Sequence, residues 1–420
     1  MRKIILSIVL CHLAFANAQT TRGINGEANW LRNWTNFKPK TTEYKEVSNL
    51  LVGAITQNTT LYKKDIYLLT GNVYVANGAT LTIEPGTLIK GDYESNGTLV
   101  ITKGSKIIAQ GDETNPIIFT SNKPTSQRKA GDWGGLIILG ESPTNKFTGR
   151  LDFSLDPKFN VYGGENTQSN SGILKYIRIE FAGGKGKNTQ ALNGLSLAGV
   201  GNKTIIDNIQ VSFSNANSFE CYGGTVNLDH LLSFRTKDND YNFTEGTQCK
   251  ITNSIAVRNP FVSSSQKSRC FEIQSYDLAS NADLTKKMTA VIASNVTLLN
   301  EDNSDLSLTR EAIFVRENSF LNMSNSVVSG FNQCLLLDGK IKTSVENLGK
   351  IKLQDMLFNN CSGFIESEMP ERNEVVKNWY NNDTFAIALS KSSNFDFFKE
   401  TDIKKTPDYR MKQNQTLVSK

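Results

Sequence analysis

Histidine and cysteine are scarce in this sequence. The 420 residues include only two histidines and six cysteines. Apart from Cys11, the cysteines are widely and unevenly spaced: Cys221, Cys249, Cys270, Cys334 and Cys361. An odd, sparse set in a chain of this length is not a disulfide framework, and its spacings do not fit a zinc site. We expect these cysteines to be buried as small apolar side chains, with a Cys270–Cys334 bridge as an open alternative.

The sequence also lacks a strong charge of either sign. It has 46 Lys+Arg against 41 Asp+Glu, a formal net charge of +5. The charges are scattered, which excludes the basic surface that nucleic-acid binding requires. Beyond the start of the chain, no apolar run is long enough to span a bilayer, so we predict neither a transmembrane protein nor a transporter.

The first residues have the pattern of an export signal. Arg2 and Lys3 form a basic start, residues 4–15 are a short apolar core, and Ala16-Asn-Ala18 is a small-x-small cleavage site. We predict cleavage after Ala18, so that residues 1–18 are a signal peptide. The mature chain is then exported to the periplasm, the cell surface or the extracellular space.

The middle of the chain repeats. The stretch GATLTIEPG at residues 78–86 is echoed by GTLVITKG at residues 97–104, so that Leu81 and Leu99 are 18 residues apart. Further on, a short apolar unit recurs, and Gly, Asn and Ser bound its β-branched or aromatic runs. The units start at Tyr176, Asn208, His230, Asn253, Asn295, Asn325 and Asp355.

Short strands that repeat without helices between them exclude a doubly wound α/β fold. They predict an all-β, single-domain right-handed parallel β-helix, in which each strand bonds to its equivalent one coil away. We place this solenoid at residues 61–365, an N-terminal segment and cap at residues 19–60, and an irregular C-terminal cap and tail at residues 366–420. Because a solenoid must cover its open ends, we expect a helical cap between Glu27 and Val52, broken at Pro39.

Alternation along each strand predicts which side chains point into the solenoid. The predicted core ladder includes Leu81, Ile83, Leu99, Ile101, Ile138, Ile177, Ile179, Ile209 and Val211.

Five stretches together resemble one protein family. They are GDWGGLIILG at 131–140, ATLTIEPGTLIKG at 79–91, YIRIEFAG at 176–183, NGLSLAGVG at 193–201 and YGGTVN at 222–227. The chain resembles the exported parallel β-helix proteins that are abundant in Bacteroidetes, strongly over residues 50–259 and weakly beyond. The resemblance implies the same fold and export, and it carries no established activity. That family usually has acidic runs before the equivalents of Phe219 and Tyr241; in this chain only the second run keeps its carboxylates, Asp238 and Asp240.

The motifs of pectin-degrading β-helices are absent. Polygalacturonases gather several carboxylates in one cleft, and none of their short site motifs occurs in this sequence. The stretch from Asn227 to His230 is similar to the Asp-His stretch of pectate lyases, which use Ca²⁺ and a basic residue to remove a proton. His230, however, occupies the repeat position of Asn208 and Asn253, so we interpret it as a turn residue of one coil.

Four acidic residues on neighbouring coils are candidates for a Ca²⁺ site. They are Glu220, Asp238, Asp240 and Glu245. Oxygen donors on adjacent strands, about 5 Å apart, suit this ion. The alternative is a solvated acidic edge with no bound metal or other cofactor.

Trp133 is a candidate for ligand binding. The glycines around it would let its ring serve as a platform for a stacked sugar. The alternative is that Trp133 packs against Ile117 and Phe119, because it opens an apolar strand.

These features predict a secreted or cell-surface β-helix scaffold, without enzymatic activity, that binds a polymer such as a polysaccharide or a surface partner. The alternative is a polysaccharide lyase or glycoside hydrolase that acts in a lateral groove. A deep groove lined by Lys or Arg and at least two carboxylates would favour the enzyme. A flat face with aromatics and asparagine would favour the scaffold.

Overall fold

The computed structural model describes residues 22–185, 190–264, 268–302, 307–381, 383–413, 415 and 417–419. The predicted signal peptide, residues 1–18, lies outside the described residues. The first strands are β1 (Asn49–Ile55), β2 (Thr59–Leu61), β3 (Ile66–Val75), β4 (Thr80–Ile83), β5 (Leu88–Gly91), β6 (Thr98–Ile101), β7 (Lys106–Gln110), β8 (Ile117–Ser121), β9 (Gly135–Leu139), β10 (Gly172–Glu180), β11 (Leu195–Ala198), β12 (Ile205–Ser212), β13 (Phe219–Tyr222), β14 (Thr225–Phe234), β15 (Tyr241–Thr244) and β16 (Gln248–Thr252).

The remaining strands are β17 (Ile255–Arg258), β18 (Phe271–Ile273), β19 (Ala290–Ser294), β20 (Thr297–Asn300), β21 (Glu311–Val315), β22 (Phe320–Ser324), β23 (Val327–Ser329), β24 (Gln333–Leu337), β25 (Ile351–Gln354), β26 (Leu357–Asn359), β27 (Gly363–Ser367), β28 (Ala388–Ser390), β29 (Phe398–Glu400), β30 (Asp408–Met411) and β31 (Val418–Ser419). The α-helices are α1 (Val345–Leu348), α2 (Asn373–Tyr380) and α3 (Asn394–Phe397). Single 3-10 turns lie at Pro39–Thr41, Thr125–Gln127, Ala279–Asn281, Pro370–Arg372 and Asp383–Phe385.

The strands wind into three parallel sheets around one core, and the predicted right-handed parallel β-helix is confirmed. Sheet 1 contains β2, β4, β7, the first parts of β10, β12 and β14, and then β16, β19, β22 and β25. Sheet 2 contains the first parts of β1 and β3, then β5, β8, the second parts of β10, β12 and β14, and β17, β20, β23, β26 and β28. Sheet 3 contains the ends of β1 and β3, then β6, β9, β11, β13, β15, β18, β21, β24 and β27. The parallel ladder runs from β1 to β28.

The core is the predicted ladder of inward side chains. All nine predicted residues are at most 2% exposed. Leu99 pairs with Leu136 and Ile101 with Ile138, so that equivalent apolar side chains stack from one coil to the next. Strands of only four or five residues are stable here because each one is buried against its neighbours in the ladder.

The corner between sheets 1 and 2 explains the recurring asparagine. The chain turns there through one residue in the left-handed region, with φ between +45° and +55°. Asparagine tolerates this conformation better than most residues do. The residues at this corner are Tyr176, Asn208, His230, Asn253, Asn295, Asn325 and Asp355, which are the predicted starts of the repeat unit. The interpretation of His230 as a turn residue is therefore confirmed.

The N-terminal segment lies along the side of the solenoid, and the expected helical cap between Glu27 and Val52 is wrong. Residues 22–44, which we call the N-terminal strap, run from a late coil to an early one. The Gly23 N–H donates to the carbonyl of Asn325 at 2.8 Å, and the Asn36 N–H donates to the Gln210 side chain at 2.8 Å. Because the solenoid satisfies these backbone donors, the strap does not need helical hydrogen bonds.

The C-terminal residues 391–412, which we call the C-terminal segment, fold back beside the strap. The Asn29 side chain donates to the carbonyl of Pro407 at 2.7 Å, and the Phe37 and Tyr409 rings are 6.3 Å apart. Both terminal segments therefore cover the outer face of sheet 2.

Candidate functional site

Covering segments determine which outer faces of the solenoid are open. The two terminal segments bury apolar side chains on sheet 2, among them Leu232, Phe234, Ile255, Val257 and Leu299. The long connection after β9, residues 140–171, covers the first half of sheet 3, where the Tyr74 ring lies 4.7 Å from that of Phe159. Among the described residues, no segment covers the flat face of sheet 1 or the second half of sheet 3.

The second half of sheet 3 carries a column of outward side chains that is mostly polar. In order along the sheet they are Glu220, Asn242, Glu272, Phe314, Leu336 and Glu366. Strand alternation places them outward, since the residues on either side of Glu272, Phe271 and Ile273, point into the core.

An open groove of about 400 Å³ follows this column. Its lining residues are Asp238, Asn239, Arg269, Glu272, Phe314, Arg316, Asp338, Lys340 and Glu368. Side chains from several coils, most of them charged or polar, thus converge on one surface. We call this surface the sheet 3 groove.

Ion pairs fix four of the charged side chains of the groove: Arg269, Glu272, Arg316 and Asp338. Arg269 lies 3.1 Å from Glu272 and 2.9 Å from Glu311. Arg316 lies 3.6 Å from both Glu272 and Asp338. The Arg269 guanidinium also stacks 4.1 Å above the Phe314 ring. Such a network holds donors and acceptors in defined positions, which is what a site for a polar ligand requires.

Glu220 lies at the upper end of the same column and is 8% exposed. Its carboxylate accepts hydrogen bonds from the side-chain amides of Asn193 and Asn217, each at 2.7 Å, and from Asn242 at 2.9 Å. Burial raises the pKa of Glu220 to about 7, although these hydrogen bonds act in the opposite direction. A carboxyl group that titrates near neutrality can donate or accept a proton there.

The structure separates the four candidate Ca²⁺ ligands. Glu220 is held by asparagine amides, and Glu245 accepts a short hydrogen bond from the Tyr162 hydroxyl and pairs with Lys146 at 3.3 Å. Asp238 lines the sheet 3 groove and accepts a hydrogen bond from Ser264.

Asp240 is directed into the solenoid. Its carboxylate pairs with Arg258 at 2.7 Å, and both side chains are 0% exposed. Of the four candidates, Asp238 is the one that lines the groove, and Ca²⁺ binding at these residues stays a prediction.

The one compact group of three potential metal ligands among the described residues lies elsewhere. It consists of Asp207, Asp229 and His230 on the edge of sheet 1. Burial lowers the pKa of His230, but hydrogen bonds to the two carboxylates outweigh it and raise the pKa to about 9. The Lys175 ammonium, 2.7 Å from Asp207, supplies a second positive charge to this group.

Trp133 has no exposed surface, which agrees with the packing alternative for this residue. Its ring stacks on Phe119 at 6.4 Å, and its indole N–H donates to the carbonyl of Glu180 at 2.7 Å. A sugar cannot stack on the ring in this arrangement because Gly91 also lies against it.

The five described cysteines are free thiols, and four of them are buried. The bridge between Cys270 and Cys334 does not form. Cys270 directly precedes β18, and Cys334 lies in β24, two steps away in sheet 3. This separation is about 9–10 Å and too far for a disulfide.

A second, smaller pocket adjoins the sheet 3 groove. It has a volume of about 210 Å³ at the corner between sheets 3 and 1. Its lining residues are Arg316, Glu317, Asn318, Ser319, Lys340, Ile341, Lys342, Asn347, Lys350 and Ile351. We call it the basic pocket; Arg316 and Lys340 line both the pocket and the groove.

Sequence reasoning identified Glu220 and Asp238 but missed most of the groove. Arg269, Arg316 and Lys340 follow or precede strands on different coils, and connections of unequal length hide their common surface. One signal was present for Glu272. Aligning the strands Phe219–Tyr222 and Phe271–Ile273 places Glu220 and Glu272 at the same outward position.

Comparison with known protein families gave a match. A family model described as a pectate-lyase like beta helix domain matches residues 53–399. Curated proteins and solved structures gave no match. None of the described helices is long and apolar enough to cross a membrane.

Proposed function

The chain belongs to the family of pectate-lyase-like β-helix domains, and from this premise we propose that it is an exported, non-enzymatic scaffold that binds a polysaccharide in the sheet 3 groove. Family membership supports a carbohydrate-related role. It does not distinguish binding from cleavage, so the proposal of binding rests on the groove itself.

The observation that carries the proposal is the arrangement of paired charges in the groove. Glu272 accepts hydrogen bonds from Arg269 at 3.1 Å and from the Asn239 amide at 3.0 Å, and the Arg316 guanidinium lies 3.6 Å from it. Guanidinium, carboxylate and amide groups held in this way offer fixed donors and acceptors to sugar hydroxyls. Successive strands repeat along the axis at ~4.8 Å, which suits a ligand that also repeats.

The ion pairs favour binding over cleavage. A lyase requires a base that is free to take a proton, and a hydrolase requires an acid that is free to give one. The Arg269 and Arg316 guanidinium groups are instead engaged with Glu272, Glu311 and Asp338. These contacts occupy the guanidinium groups that would otherwise act on a substrate.

The proposal is tested by affinity electrophoresis of residues 19–420 in gels that contain neutral and acidic polysaccharides. At least one polysaccharide should retard the protein. Glu272→Gln should weaken that binding by about tenfold, since hydrogen bonds to charged groups are lost. Glu371→Gln, an exposed carboxylate outside the groove, is the matched control. Retardation by no polysaccharide, or equal retardation of Glu272→Gln and wild type, would refute groove binding.

Export is the second part of the proposal. It rests on the basic start, the apolar core and the small-residue cleavage site at residues 1–18. Expression of the full chain in its host, followed by fractionation and N-terminal sequencing, should find a mature protein that begins at Gln19. An uncleaved cytoplasmic chain would contradict it.

A glycoside hydrolase is the second candidate function, and Glu220 is the observation that favours it. Its pKa of about 7 suits a general acid. Glu272 lies two strands further along the same column, about 9–10 Å away and near the ~6.5–9.5 Å carboxyl separation of inverting enzymes. Release of reducing ends by wild type but not by Glu220→Gln, with binding retained in both, would establish this function in place of the scaffold.

A further inference from the structure

The basic pocket has an excess of positive charge that the groove beside it lacks. Four cationic side chains line it, Arg316, Lys340, Lys342 and Lys350, against one carboxylate, Glu317. In the sheet 3 groove, by contrast, three cations are accompanied by four carboxylates: Asp238, Glu272, Asp338 and Glu368. An anion is therefore attracted to the pocket more strongly than to the groove.

The lysines of the pocket, unlike its arginine, are available to bind a ligand. The Arg316 guanidinium is directed to Glu272 and Asp338, and it donates to the Gln274 side chain at 2.6 Å. In the part of the chain that the structure describes, neither Lys340 nor Lys342 has a carboxylate within ion-pair distance.

The neutral polar groups of the pocket are engaged in internal contacts. Asn318 donates to the Tyr276 hydroxyl at 2.6 Å, and Asn347 accepts from the Lys350 ammonium at 3.1 Å. The ammonium groups of Lys340 and Lys342 are therefore donors of the pocket lining that have no internal acceptor among the described residues.

Ammonium groups select a class of anion. A carboxylate is matched best by the planar fork of an arginine, whereas a lysine acts as a point charge with three donors that can turn toward any oxygen. Several lysines around one small pocket suit an oxyanion whose oxygens point in tetrahedral directions. Sulfate and phosphate esters have this shape.

We propose that the basic pocket holds a tetrahedral oxyanion ester, a sulfate or phosphate monoester, carried by the polysaccharide that occupies the sheet 3 groove. The inference rests on the proposed function, because Arg316 and Lys340 belong to both surfaces. A polymer bound in the groove thereby places a substituent of a neighbouring sugar in the pocket.

The test compares affinities for four polymers by isothermal titration calorimetry: a neutral galactan, a sulfated galactan, a phosphomannan and polygalacturonate. The sulfated or the phosphorylated polymer should bind most tightly, and these two arms identify the ester. Lys342→Gln should weaken the binding of that polymer by about two- to fivefold, which is the effect expected for the loss of a partly exposed charge contact. The Glu317→Gln variant should strengthen it by a similar factor, an effect that damage to the fold would not produce.

Lys250→Gln is the matched control, because this exposed lysine lies on the outer face of sheet 1 and its loss changes the net charge equally. Equal effects of Lys250→Gln and Lys342→Gln would overturn the inference by reducing it to net charge. Tightest binding of polygalacturonate or of the neutral galactan would also overturn it while leaving the proposed function standing. Binding of none of the four polymers in any variant would overturn both.

Discussion

Glu220 gives the folded protein a pH dependence that one substitution should remove. The carboxyl group is buried among the side chains of Asn193, Asn217 and Asn242, and its pKa rises from 4.5 to about 7. The folded state therefore holds this proton more tightly than the unfolded chain does. By linkage, stability is highest where both states are protonated, below about pH 4.5, and falls as the pH rises through about 7.

The size of the effect follows from the pKa. A rise from 4.5 to about 7 corresponds to about 3 kcal/mol. Glu220→Gln keeps the shape of the side chain and removes its charge, so this part of the pH dependence disappears. The free energy of unfolding of the variant, measured relative to that of wild type, should therefore rise by about 3 kcal/mol as the pH increases from about 4 to about 8.

The surroundings of Glu220 can accept an amide. The carboxylate accepts hydrogen bonds from the amides of three asparagines. If all three kept their orientation, the side-chain N–H of the new glutamine would face another N–H donor. Asn242 resolves this conflict, because its side-chain oxygen is buried and has no hydrogen-bond partner in the described structure. Rotation of the Asn242 amide presents that oxygen to the new N–H group.

The assay is urea unfolding of wild type and Glu220→Gln at several pH values, with equal m-values as the criterion that the same transition is compared. Glu371→Gln, an exposed carboxylate, is the control for a general change of charge. A free-energy difference between Glu220→Gln and wild type that stays constant from about pH 4 to about pH 8 would refute Glu220 as the origin of this pH dependence.

Three further substitutions test the packing. Arg258→Met leaves the buried Asp240 carboxylate without its partner and should destabilise by about 3–5 kcal/mol, whereas the double variant with Asp240→Asn should cost less than the two singles together; additive costs in urea unfolding would contradict the buried pair. Ile101→Asp places an unpaired carboxylate at a position that is 0% exposed and should abolish folded, secreted protein, whereas a normal yield with unchanged melting would contradict the register. Trp34→Ala should release the N-terminal strap, since Trp34 is fully buried and its ring lies 5.8 Å from that of Tyr176. Limited proteolysis should then cut the variant within residues 22–44 faster than it cuts wild type. Unchanged resistance to proteolysis would contradict the role of Trp34 as an anchor of the strap.

The β-helix was predictable because its signals are short in range. Ile177 and Ile179 alternate within one strand, and Asn253 and Asn295 mark the same left-handed corner on successive coils. Each of these signals depends on a few neighbouring residues and on the preference of asparagine for one backbone conformation. Such local patterns survive loops of unequal length.

The strap and the groove depend on contacts that no local pattern encodes. Gly23 contacts Asn325, which lies about 300 residues further along the chain, and no pattern in the sequence around Gly23 indicates this contact. Asp240 occurs in an acidic run that suggests a cation site, yet its carboxylate turns inward to Arg258. The direction of a side chain at a corner is set by the next coil, which lies about 20 residues away in such solenoids.

Hydroxyl-radical footprinting with bound polysaccharide tests the central claim most directly, because it locates the ligand on the protein. If the polysaccharide occupies the sheet 3 groove, binding should protect Leu336 in the outward column and Met369 beside Glu368 from oxidation. Ile292, which is 51% exposed on the outer face of sheet 1, should react equally with and without ligand. Protection of Ile292 with no change at Leu336 and Met369 would place the ligand on the flat sheet and contradict the account.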